Sequence, residues 1–141
     1  MNPDSHHRVP RQPSFLKRDQ VTGVVIGPSS AAFAPHPGED GLSVYRDNRL
    51  RADGYGARHV AEAGRVASLA VGFTDAVVLD QALRVTPDPQ PEPAGIGPAH
   101  ALIQGWEQLS RAKVREAARA LAGSASCTHP DCEWARISWP G

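Results

Sequence analysis

Hydrophobic positions along the chain follow two periods, and the changes between them outline the expected elements. Residues 41–46 (GLSVYR) set Leu42 and Val44 against Ser43 and Tyr45, the every-second-residue spacing of a half-buried strand. Residues 66–73 (VASLAVGF) are apolar nearly throughout, as in a strand buried on both faces. Residues 21–26 (VTGVVI), 82–86 (ALRVT) and 100–103 (HALI) also have strand composition. Helical spacing is clearest over residues 111–122 (RAKVREAARALA), with Ser110 as N-cap, Gly123 as stop and a stripe of Val114, Ala117, Ala118 and Leu121. A second helix is expected over residues 52–63, with Asp53 near its start and Gly64 as its stop, which would put Tyr55, His59 and Glu62 on one face. Gly54 and Gly56 each weaken it by about 1 kcal/mol relative to alanine. Residues 74–80 (TDAVVLD) fit a short helix or a further strand.

Proline placement groups these elements. The 141 residues include 13 prolines and 13 glycines. Prolines crowd the first 37 residues, are absent from 38–86, and return at Pro87, Pro89, Pro91 and Pro93. Proline fixes φ and removes a donor, so TPDPQPEP is expected as an extended surface strap or linker. The expected architecture is therefore a flexible segment over residues 1–20, one α+β domain over 21–123 and a tail over 124–141. The domain would be a small mixed sheet covered by one or two helices, with irregular proline-rich termini. The first residues lack the apolar core of a secretory signal, which points to the cytoplasm and to reduced thiols at Cys127 and Cys132. No run of about 18 apolar residues exists, so no membrane partner is expected. The formal net charge of zero argues against a nucleic-acid coat protein but leaves local patches open.

Four constellations carry candidate chemistry. Cys127, His129 and Cys132 are three soft ligands within six residues, short of the four that a structural zinc site takes. Free thiols, zinc and a disulfide are the alternatives, and no cofactor is expected. Ser29 or Ser30 with His100 as base and Asp75 or Asp80 as orienter would supply the parts of a hydrolase triad, although the local G-P-S-S-A string is not a nucleophile elbow. It equally fits a turn whose serine hydroxyls bond nearby backbone. Arg46, Arg49, Arg51, Arg58 and Arg65, interleaved with Asp47, Asp53 and Glu62 and flanked by Tyr45 and Tyr55, would contact phosphate or form a solvated rim of mixed charge. Arg111, Arg115 and Arg119 stand at i, i+4 and i+8, a ridge suited to nucleic acid or an acidic partner. His59 and His100 each fit a hydrogen-bonded structural role, and His6 and His7 lie in the segment expected to be flexible. Trp134 and Trp139 fall in the last eight residues, where tryptophans suit an added edge strand or a docking segment.

Ser29, Ser30, Phe33, Pro35, Leu42, Ser43, Val44, Pro87, Asp88, Pro89, His100, Ala101 and Ile103 form a pattern of SSxxFxP, GLSV, PDPxPxP and HAxI. In this the chain resembles a group of small actinobacterial and phage proteins over residues 28–122. The resemblance implies a shared domain, carries no activity, and raises Ser29, Ser30, Phe33 and His100 as site candidates. The leading expectation is a non-enzymatic accessory protein that binds another protein through Arg111, Arg115, Arg119, Trp134 and Trp139, in a setting such as a toxin–antitoxin or phage-defence pair. The alternatives are a small hydrolase or transferase using Ser29 or Ser30 with His100, and nucleic-acid binding through the arginine-rich helix.

Overall fold

The computed structural model describes residues 5–8, 16–22, 25–35, 40–56, 59–60 and 71–127. In chain order the elements are β1 (Ser5–Arg8), β2 (Leu16–Arg18), β3 (Val25–Pro28), β4 (Leu42–Arg46), α1 (Asp47–Ala52), β5 (Val71–Thr74), α2 (Asp75–Asp80), β6 (Arg84–Pro87), β7 (His100–Gln104), α3 (Arg111–Ser124) and β8 (Ser126–Cys127). Short 3-10 turns lie at Ser30–Phe33, Gly97–Ala99 and Trp106–Gln108. Six strands form one sheet in the order β6-β7-β4-β1-β5-β8, and β2 pairs separately with β3. The α+β class is as expected. The sheet is antiparallel at every pairing rather than mixed, because no described strand returns beside a parallel neighbour.

Alternation along β4 and β7 sorts side chains onto two faces. Leu42, Val44, Ala101 and Ile103 point to one side, where Phe33 of the first 3-10 turn, Val78 of α2, Leu83, Trp106 and the Ala117, Ala118 and Leu121 stripe of α3 complete the main core. A fully buried Phe33 or Leu121 contributes about 1.5–3 kcal/mol by removal of apolar surface from water. Tyr45 and His100 point to the other side, toward a smaller cluster of Leu50, Val60, Ile96 and Ala99 with Tyr55 at its margin.

Helix α3 starts as the sequence suggests, with the Ser110 hydroxyl accepting from the Lys113 N–H at 3.2 Å. It runs through Gly123 to Ser124, one turn-position beyond the expected stop, and the Ser124 hydroxyl donates back to the Leu121 carbonyl. Residues 74–80 resolve in favour of helix, as α2. The helix expected over 52–63 is displaced. Its place before residue 53 is taken by α1, whose Arg49–Asp53 and Arg51–Asp47 pairs span one turn each and whose Leu50 is buried. Gly54 adopts φ +84° and ends α1 where the expected helix would begin. His59 and Val60 are helical, and the rest of the span to residue 63 lies outside the described residues apart from 52–56. The strand expected at 21–26 begins later, at Val25. Asp19 accepts from the Val21 and Thr22 N–H groups and holds that stretch in a turn, leaving Val21 exposed.

The segment 87–99 is not an open linker. Pro87 still pairs with Ala101 on the sheet edge, where a missing donor is tolerated. The chain then folds back on itself through Gln90 N–H to Gly97 O and Gly97 N–H to Pro93 O, and buries Ile96 in the second cluster. A Cβ at Gly97 would collide with the Gln90 carbonyl. Gly97→Ala is therefore expected to lower unfolding free energy by about 1–3 kcal/mol, the usual cost of overpacking, as measured by urea denaturation.

The largest departure from expectation is the N-terminal segment. Ser5–Arg8 is not flexible but sits in the middle of the sheet, between β4 and β5. It holds no apolar side chain, and His6, His7 and Arg8 are all buried.

Candidate functional site

Strand β1 is held by polar contacts to elements far away in sequence. On one face the His6 Nε2–H donates to Asp75 Oδ1 at 3.0 Å; on the other the His7 Nε2–H donates to Asp47 Oδ1 at 2.9 Å. Each acceptor opens the helix that follows a flanking strand: Asp47 follows β4, and Asp75 follows β5. Arg8 shares its face with His6. Its guanidinium donates to the Ala32 carbonyl at 2.6 Å and to the Ser43 carbonyl at 2.8 Å, tying the Ser30–Phe33 turn to the sheet. His6 and His7, set aside in the sequence as part of a flexible start, are thus structural anchors.

The register sets His7 opposite Tyr45 and Tyr45 opposite His100, so three polar rings cross one face in a row. Tyr45 and His100 meet edge to face with ring centroids 5.5 Å apart. His100 Nδ1 lies 3.0 Å from the Asp88 carbonyl and 3.2 Å from its carboxylate. Both are acceptors only, so Nδ1 carries a proton and donates it. Gln90 in turn donates to the Asp88 carboxylate at 2.9 Å and fixes it. Burial lowers the pKa of His7 below its ordinary 6.5, and the adjacent Asp47 only partly opposes this. Burial also raises the Tyr45 phenol.

His100 therefore has an orienting acid, but it is Asp88 rather than Asp75 or Asp80. Asp75 is committed to His6. The turn that begins at Ser30 packs on the face of Ala101, while His100 points from the opposite face. The serine–histidine pairing is not assembled, because adjacent positions in β7 face opposite sides of the sheet. Ser29 caps that turn by position alone, with no bond from its hydroxyl to the turn backbone.

Among the arginines near α1, Arg49 and Arg51 are paired within the helix, the mixed-charge rim that the sequence allowed. Arg58, Arg65 and Glu62 lie outside the described residues. So do His129, Cys132, Trp134 and Trp139, while the Cys127 backbone pairs with Val71 as the tail enters the sheet edge. Among the described residues no group of three or more His, Cys, Asp or Glu is placed to hold a metal ion.

Helix α3 carries the ridge as its spacing predicts. Arg111, Arg115 and Arg119 are all exposed and flank the buried Ala117, Ala118 and Leu121 stripe. The helix has one acidic residue, Glu116, and Lys113 occupies it at 3.3 Å. Among the described residues none gives the three guanidinium groups a carboxylate. Three cations at one-turn spacing, about 6 Å apart along the axis, repel each other until an anionic surface meets them.

No protein-family model, no curated protein and no solved structure matches this chain. No described helix is long and apolar enough to cross a membrane.

Proposed function

We propose that the protein is a non-catalytic binding module whose α3 ridge engages an acidic surface on a partner protein. The single observation behind this reading is the line of Arg111, Arg115 and Arg119, exposed on a well-anchored helix and without a counter-ion among the described residues. Rigid presentation matters, because a side chain carried on a fixed helix leaves less backbone freedom to lose on binding than one on a mobile loop. Arginine also offers a planar fork that matches carboxylates bidentately. Trp134 and Trp139, in the tail beyond β8, are residue types suited to an aromatic anchor on the same partner. A toxin–antitoxin or phage-defence setting suits such a module.

The same ridge would attract nucleic-acid phosphates, and that reading stands second because the whole chain has no net charge. The two separate in one experiment: affinity capture with the full chain as bait, with and without nuclease treatment. The protein-binding reading expects a stoichiometric partner that survives nuclease and is released by raised salt. Material that vanishes with nuclease would overturn it in favour of nucleic acid.

A further inference from the structure

A central strand made only of Ser, His, His and Arg cannot be held by the hydrophobic effect. Its docking rests on backbone ladders to β4 and β5 and on the side-chain bonds of His6, His7 and Arg8. We propose that β1 is an acid-sensitive strand: protonation of His7 weakens its seat between β4 and β5, while the β4–β7–β6 ladder, which packs on the main core, stays closed.

The groups around His7 show why a second positive charge is unwelcome there. From α1, Asp47 bonds His7 through Oδ1 and Arg51 through Oδ2 at 2.7 Å, so its single negative charge is already matched. From β4 the residue opposite is Tyr45, and from β5 it is Gly72, which has no side chain. Within β1, His6 lies next in sequence and, like Arg51, disfavours a charge on His7. Among the described residues the one carboxylate bonded to His7 is thus shared with Arg51, and charging a ring that is only 4% exposed carries a desolvation cost.

The sign follows from linkage. His7 binds a proton less readily in the folded chain than in the unfolded one, whose value is near 6.5. Its contribution is fully present at high pH and declines as pH falls below about 6.5, where the undocked strand takes up the proton first. Docking of β1 loosens as pH falls until the folded-state value is reached, after which no further loss comes from this group. Opening would expose the β4 and β5 edges, each a row of unpaired backbone groups.

Hydrogen–deuterium exchange of the full chain at pH 7.5 and pH 5.5, corrected for intrinsic rates, tests this. The expected result is a fall in protection of up to about tenfold per pH unit for the amides of β1, with β7 amides changing little. His7→Gln, which keeps a donor for Asp47 but cannot titrate, should flatten that response. Equal loss of protection in β1 and β7, or protection in β1 that does not depend on pH, would overturn the proposal. So would an undiminished response in a folded His7→Gln variant. If that variant fails to fold, the wild-type contrast between β1 and β7 still decides.

Discussion

Arg8→Ala lowers unfolding free energy by about 3 kcal/mol and the melting temperature by roughly 10 °C, at about 3–4 °C per kcal/mol for a chain of this size. The substitution strands two carbonyls, those of Ala32 and Ser43, each of which costs about 1–3 kcal/mol when left without a donor away from water. It also leaves a void beneath the Ser30–Phe33 turn, whose Phe33 is a core residue. Loss of the buried cation offsets part of this, since an arginine only 3% exposed bears a desolvation cost. Arg8→Lys should recover only part of the loss, because one ammonium does not reproduce the fork that reaches both carbonyls. Thermal unfolding followed by circular dichroism measures both. In a flexible segment, by contrast, Arg8→Ala would stay within about 0.5 kcal/mol of the wild type.

That contrast shows what the sequence made legible and what it did not. Strands β4 and β7 were readable because alternation at Leu42, Val44, Ala101 and Ile103 matches a sheet with one apolar face. Helix α3 was readable from its cap, its stripe and its alanine content. Strand β1 was not, because SHHR has no apolar period and its partners lie 40 and 69 residues away. Nothing local marks Asp47 and Asp75 as the acceptors; only the folded sheet brings the β4–α1 and β5–α2 corners to either side of β1. The α1 helix was missed for a different reason. Six residues held by two i,i+4 pairs give too short a pattern, and Gly54 marks its end rather than a flaw inside a longer helix.

The candidate site divides the same way. The arginine ridge depends on spacing along one helix, so the sequence located it fully. The His100–Asp88–Gln90 chain depends on the fold of residues 87–99. The proline run signalled only that this segment is irregular, not that it closes through Gln90 and Gly97. For the serine–histidine alternative the matter is one of parity: the Ser30–Phe33 turn packs with Ala101, and His100, its neighbour in sequence, faces the other way.

Charge reversal of the ridge has the second large expected effect. Arg111→Glu, Arg115→Glu and Arg119→Glu together replace three cations with three anions on a surface that contributes nothing to the core. Folding should be nearly unchanged, since exposed charges are worth little to stability. Binding should fall by at least about a hundredfold, because like charges now face the partner and each rim charge affects both encounter and retention. Arg49→Glu supplies the control. It makes a similar change at an exposed arginine that α1 already pairs with Asp53.

The most direct test is therefore the affinity of the captured protein partner for the full-length wild type, the triple charge-reversed variant and Arg49→Glu, measured at low and physiological salt. The ridge account predicts strong loss in the triple variant, little change in Arg49→Glu, and weakening of the wild type as salt rises. A triple variant that folds and binds as tightly as the wild type would contradict it.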